Sequence, residues 1–393
     1  MNRQLNRICL LTNYNLYESK RYFTEKFADA LKRKGIETFC IDAQTSCLDT
    51  EALVSIARFN PDLTCSFNSI HRLSEDSFLC DYLQVPHWSI LVDPAVYSTG
   101  LTHSPYSIIS CVDEEDVHSI RTGDYKNSFF FPHAVEKELI GTGKKEKIYD
   151  VVFLGSCYDY ETLETYWKDE EPEEIQKIIA AASQMVLSES ETSIAHAIYT
   201  AWKASSVPQE KVNFLSLFYY VDRYTRGKDR IELIQSIKNA QVHVFGTHAE
   251  DESAMLLGWN HYLSDFQNVT VHPPVSFQEG LEILKQSKIA LNSMPFFKQG
   301  SHERVFTALA CGALPLTTDT PYWKENFVEG KEILLYRHKQ LQEVDVVIQE
   351  VLANEPLRTA IAAQGALNVE QNHTWDQRVE FIQKIIPQML NEI

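Results

Sequence analysis

Residues 292–319 read NSMPFFKQGSHERVFTALACGALPLTTD, and the four residues ending at Asn292 are the apolar run IALN. That run is a buried strand. It ends in a loop carrying Lys298, Gly300, Ser301, His302, Glu303 and Arg304, after which the small-residue stretch 303–310 reads as a helix stopped at Cys311-Gly312, and 313–317 reads as the next strand. A strand, loop, helix, strand unit of this kind aims the N–H groups and dipole of the helix start at one point beyond the strand, which is how a fold holds a diphosphate without a metal. Arg304 suits forked hydrogen bonds to phosphate oxygens, and Glu303 suits the hydroxyls of a ribose or sugar. The alternative for the same His-Glu-Arg is a helix cap with a surface ion pair.

Working outward, the same alternation recurs. DVVFLGS at 150–156, VHVFG at 242–246, VTVH at 269–272 and 332–336 are strand-like, with a helix at 277–286. Upstream, 7–12, 36–41, 63–67, 86–92, 107–112 and 128–131 are apolar runs separated by helical patterns at 22–33 and 50–58. Alternation at this spacing predicts parallel sheets covered on both faces. Between them the pattern lapses into the polar stretch GTGKKEK at 141–147, a linker by composition.

We therefore expect an α/β chain of two Rossmann-like domains facing a central cleft, with inserted helices and a helical C-terminal tail. The expected boundaries are 1–145, 146–372 with a helical insertion at about 161–238, and 373–393, a helix that crosses back to the first domain.

Composition narrows the function. The chain has 393 residues with 36 Lys plus Arg against 54 Asp plus Glu, a formal charge of −18, which is the wrong sign for a phosphate-backbone binder and argues against nucleic acid. The N-terminal apolar run at 8–11 is too short for a signal core or a membrane span, so a cytoplasmic protein without membrane insertion is expected. Eight cysteines show no Cys-x-x-Cys pair, which indicates buried thiols rather than zinc or a disulfide framework. Gly-x-Gly-x-x-Gly, Gly-x-Ser-x-Gly and His-Glu-x-x-His motifs are all missing, and GTGKK at 141–145 only mimics a phosphate loop.

GSHERVFTALACGALPLTTD (300–319), with VVFLGS (151–156), VFG (244–246) and the distal HTWDQRVEFI (373–382), resembles the C-terminal half of GT-B glycosyltransferases. The likeness is greatest to the CgeB-like, spore-maturation type of family 1/4-like enzymes. It covers about residues 150–386 apart from the inserted helices; the first half is similar only in strand order. The resemblance implies metal-independent, retaining transfer of a sugar from a nucleotide-diphosphate donor, a substrate rather than a cofactor, to a glycan, protein or small-molecule acceptor. It places the donor on Gly155, Ser156, Gly246, Lys298, Gly300, Ser301, His302 and Thr307, with Glu303 and Arg304 at the reacting end. Relatives keep two glutamates eight positions apart here, and this chain has Gln299 and Thr307 instead.

By the same resemblance Asp93 stands where relatives carry a histidine, and it orients an acceptor hydroxyl; Asp93-Pro94 as a simple turn is the other reading. His71 and His133, each following an apolar run, are candidates for the acceptor side, and Trp88, Tyr97 and Tyr106 for stacking on a sugar. Arg223, Arg226, Lys228 and Arg230 form a basic island that faces either the cleft or, as the preferred reading, solvent at a helix start. A nucleotide-sugar epimerase and a degenerate, non-catalytic sugar- or partner-binding protein are the alternative functions.

Overall fold

The computed structural model describes residues 4–43, 48–68, 72–74, 77–142, 145–247, 257–391 and 393. The first half runs β1 (Arg7–Asn13), α1 (Ser19–Arg33), β2 (Glu37–Ala43), α2 (Thr50–Phe59), β3 (Leu63–Phe67), a ribbon of β4 (Arg72–Ser74) and β5 (Ser77–Phe78), α3 (Leu79–Leu83) and β6 (His87–Leu91). A 3₁₀ stretch, Ala95–His103, then leads to β7 (Ser107–Cys111), α4 (Glu114–Thr122) and β8 (Ser128–Phe130). Six of these strands form one parallel sheet in the order β2-β1-β3-β6-β7-β8.

The second half begins with β9 (Tyr149–Leu154) and the helices α5 (Tyr160–Glu170), α6 (Glu173–Ser188), α7 (Ile194–Lys203) and α8 (Phe214–Ser236). It continues through β10 (Val242–Phe245), α9 (Trp259–Leu263), β11 (Val269–His272), α10 (Phe277–Lys285), β12 (Ser287–Asn292), α11 (Glu303–Ala310), β13 (Leu314–Thr318), α12 (Pro321–Asn326) and β14 (Leu334–Tyr336). The tail is α13 (Leu341–Ala353), α14 (Glu355–Asn372) and α15 (Trp375–Met389). The second sheet is parallel too, in the order β11-β10-β9-β12-β13-β14.

Burial explains the apolar runs. Every residue of β3, β6, β7 and β13 is buried, because helices cover both faces of each sheet. α1 presents Phe23, Phe27, Ala28 and Leu31 to the first sheet at helical spacing, in one cluster with Phe67 and Trp88. That cluster also takes Trp375, Val379, Ile382 and Ile386 of α15, so the tail completes the core of the first half. Its entry is held by Trp375 N–H to Val135 O at 2.9 Å and Val135 N–H to His373 O at 3.0 Å. The helices after β9 pack on one another through Ile178, Ile179 and Ala182 of α6, Ala197 and Ile198 of α7, and Leu217 and Val221 of α8.

Topology locates the cleft. Strand order reverses beside β1 in one sheet and between β9 and β12 in the other, and open parallel sheets bind ligands beyond the carboxyl ends of strands at such points. Among the described residues, no helix is long and apolar enough to cross a membrane.

Candidate active site in the cleft

A cavity of about 230 Å³ lies where the two switch points meet, lined by Tyr17 from the loop after β1, Asp93 from the loop after β6, Gly155 and Ser156 from the turn after β9, and His302 to Arg304 at the start of α11. α8 adds Arg226 and Arg230. Leu154, Phe245, Val275, Phe277, Leu281 and Leu284 give it an apolar portion. A second cavity of about 650 Å³ shares Tyr17, Asp93, Ser156, Arg226, His302 and Glu303 with it, and extends toward Asn68, Tyr97 and His133 of the first half. Asp93, His302 and Glu303 therefore stand at the junction of the two.

Three guanidinium groups set the electrostatics. Arg304 lies against the β9 turn, since a Cβ placed on Gly155 would sit 3.4 Å from its Nη2, and its guanidinium carbon is 5.7 Å from the centre of the Phe153 ring. Its Nη1 is buried and makes no hydrogen bond. Arg230 donates from Nη1 to Ser156 O at 2.8 Å while its Nε is buried without a hydrogen-bond partner. Burial, together with the neighbouring Arg304 and Arg226 charges, pushes Arg230 down to about 10. Arg226 is pulled down by burial but raised overall by Asp222, to which its Nε donates at 2.6 Å, and it lies 3.6 Å over the Phe296 ring. Crowded like charges with idle donors are the complement of an anion.

Acidic and neutral groups border the same cavity. Burial raises Glu303 above the usual carboxylate range against the pull of Arg304, and the Asp93 charge adds to the rise. Asp93 accepts from Asn68 Nδ2 at 2.6 Å. His302 is held neutral, its value driven far down by burial and then by Arg304 and His133. Its Nε2 is 3.3 Å from Glu303 Oε2, and its buried Nδ1 has no hydrogen-bond partner. Thr307 lines the smaller cavity, but its Oγ1 donates to Glu303 O at 3.1 Å and Arg304 O at 3.2 Å, so its proton is already committed.

Other sequence-expected residues sit elsewhere. Lys298 lines neither cavity: it is 2% exposed, and its Nζ donates at 2.8 Å to both Val186 O and Glu189 O at the end of α6, with burial lowering it to about 8. Gly246 also lines neither, and meets the turn after β9 instead; a Cβ there would lie 2.0 Å from Gly155 O, so only glycine lets β10 and that turn approach. Gly300 and Ser301 join the two halves. Gly300 bridges to Asp113, Ser301 N–H donates to Val112 O at 3.0 Å, and Ser301 Oγ accepts from His133 N–H at 2.7 Å.

On the acceptor side, His133 lines the larger cavity, where burial and the nearby Arg378 lower it to about 3. His71 lies outside the described residues. Trp88 is 0% exposed with Nε1 donating to Ser110 Oγ at 2.9 Å, so it is core and stacks on no ligand. The solvated reading of the basic island is corrected for Arg226 and Arg230, which are 6% and 4% exposed inside α8. Asp222, Arg226 and Arg230 recur every fourth residue, and that spacing on a helix was the available signal. Tyr17, on an irregular loop, gave none.

Residues 228–384, which include Arg230, Glu303 and Arg304, match the family model described as glycosyl transferase-like. No curated protein matches the chain at a significant level. Among solved structures, sucrose-phosphate synthase from Thermosynechococcus elongatus superposes with TM-score 0.56 at 10% identity, over 99% of this chain and 100% of that one. Anabaena Alr3699/HepE, solved with UDP and glucose, gives 0.53 at 9% identity over 99% and 100%. An alpha-glucosyltransferase, solved with UDP and a 13-mer DNA, gives 0.55 at 11% identity over 97% and 99%. The chain has the GT-B fold. Its two six-stranded parallel sheets are the two Rossmann-like domains of those GT-B structures, and the cavities described above occupy the GT-B cleft.

Proposed function

We propose that this GT-B protein is a glycosyltransferase that moves a sugar from a nucleotide-diphosphate-sugar to an acceptor hydroxyl, with retention and with guanidinium groups in place of a metal ion. The observation that carries this is the convergence of Arg226, Arg230 and Arg304 beside the Gly155-Ser156 turn, with Arg304 Nη1 and Arg230 Nε buried and idle. In this reading the diphosphate lies against Arg304, Arg230 and the N–H groups opening α11, the base fills the apolar portion, and the sugar points to the Asp93–Glu303 junction.

The acceptor enters from the larger cavity. The bond from the sugar's anomeric carbon to the diphosphate breaks, the acceptor oxygen bonds to the same face of that carbon, and the leaving phosphate oxygen takes the acceptor proton. Glu303 holds a sugar hydroxyl, and Asp93, free of any deprotonation duty, orients the acceptor hydroxyl. HERVF and ALACG favour the spore-maturation subtype. The −18 charge favours an acceptor other than nucleic acid, and the cytoplasm is the compartment we propose.

The test is release of nucleoside diphosphate from a panel of nucleotide-sugars in EDTA. We expect slow release without acceptor from one donor, and a loss of roughly a hundredfold in Arg304→Ala. Release by no donor, or undiminished release in the variant, overturns the reading.

A further inference from the structure

The larger cavity identifies the kind of acceptor, given the transferase reading above. Its wall is made of aromatic rings, short polar groups and the cations Lys20, Arg223 and Arg226. Tyr17, Tyr97, Tyr158 and Tyr219 line it together with hydrogen-bonding groups such as Asn68 and Asp93, whereas Leu16 and Val92 are the aliphatic side chains among its lining residues. Tyrosine rings beside amides and carboxylates match a pyranose, which has an apolar C–H face and a rim of hydroxyls.

The rings are held in place. The Tyr97 hydroxyl donates to Asp222 at 2.9 Å, and the Arg223 guanidinium carbon lies 5.0 Å from the Tyr158 ring centre and 5.5 Å from that of Tyr219. The aromatic surface then leaves the cavity. Tyr97, 40% exposed, meets Phe218 edge-on at 5.7 Å, Phe218 meets Phe214 at 6.2 Å, and Phe214 and Leu215 are 41% and 51% exposed at the start of α8. A line of ring contacts thus runs from the cavity to the outer surface of the helical insertion, surfacing at Tyr97 and at Phe214 on either side of Phe218, which is 6% exposed. A single sugar or small molecule has no use for its outer end.

We propose that the acceptor is an oligosaccharide chain whose terminal sugar enters the cavity while the preceding sugars stack along Tyr97 and Phe214. The tests are a printed array of defined saccharides of one to eight residues, probed with the full-length protein, and sedimentation with anionic phosphatidylglycerol vesicles. We expect at least one chain of three or more sugars to bind about tenfold more strongly than its own monosaccharide. Phe214→Ser should weaken that binding by about fivefold, while Val346→Ser, at an exposed site on α13, leaves it unchanged. Donor titration on the same samples keeps the two readings apart: donor binding with no saccharide bound overturns the acceptor assignment alone. A monosaccharide that binds as well as its oligomers, indifference to Phe214→Ser, or vesicle binding that depends on Phe214 also overturns it.

Discussion

The Tyr17 hydroxyl lies 2.8 Å from the Ser156 hydroxyl, so a side chain on the first loop of one Rossmann-like half touches the turn on which the other half would hold a diphosphate. The same residue's carbonyl accepts from Phe277 N–H at 2.7 Å, at the start of α10. Tyr17 therefore ties the opening loop of the first sheet to two walls of the smaller cavity.

Tyr17→Phe keeps the ring and removes the hydroxyl that contacts Ser156 and the Thr247 backbone. The expected loss is about 1 kcal/mol, or roughly fivefold in nucleotide affinity, with the unfolding midpoint nearly unmoved. Calorimetry and a thermal melt on one preparation check both halves of the expectation.

Lys298 separates a structural cation from a ligand-binding one. Because its Nζ is spent on two carbonyls at the end of α6, Lys298→Met should lower stability by about 1–3 kcal/mol by leaving those carbonyls unpaired, and nucleotide affinity should not change. Urea unfolding alongside nucleotide titration decides it; weakened binding with intact stability would return Lys298 to the donor site.

Gly246→Ala should be severe for a side chain of one methyl group. The added Cβ would meet Gly155 O at 2.0 Å, forcing β10 away from the turn that carries Ser156. We expect about 1–3 kcal/mol of destabilisation with nucleotide binding lost in the surviving fold.

His338 gives the stability a pH signature. Burial disfavours its charge, but Nδ1 is 3.0 Å from Asp229 and Nε2 3.0 Å from Glu232, and these partners raise it to about 9. A histidine raised on folding stabilises fully below its unfolded value near 6.5, and that contribution fades as pH rises through about 9. The unfolding free energy from urea titration should therefore fall between pH 6.5 and 9.5 by up to about 3 kcal/mol more in wild type than in His338→Gln.

The sheets were legible because strands covered on both faces are rich in apolar residues, as in LTCSF and HWSIL, whose Thr64, Ser66, His87 and Ser89 are buried too, and because a strand, glycine loop and small-residue helix in succession, as from IALN to HERVF, leave little choice of geometry. Of the expected site residues, Asp93, Gly155, Ser156, Thr307 and residues 302–304 line the smaller cavity, and His133 lines the larger. Arg226 and Arg230 were obscured because burial of a charged helix face depends on what packs over it, here the loop after β9 and Phe296. Lys298 misled for the same reason. A lysine in a glycine loop looks like a phosphate ligand until α6, more than a hundred residues upstream, supplies two carbonyls.

The central claim is that Arg304 and Arg230 hold a nucleotide diphosphate, and calorimetric titration with UDP-, GDP-, ADP- and dTDP-sugars in EDTA tests it most directly. The account predicts saturable binding of one nucleotide that weakens at least about tenfold in Arg304→Ala and in Arg230→Ala, each variant remaining folded. Absence of binding across the panel, or binding that neither substitution weakens, would contradict it.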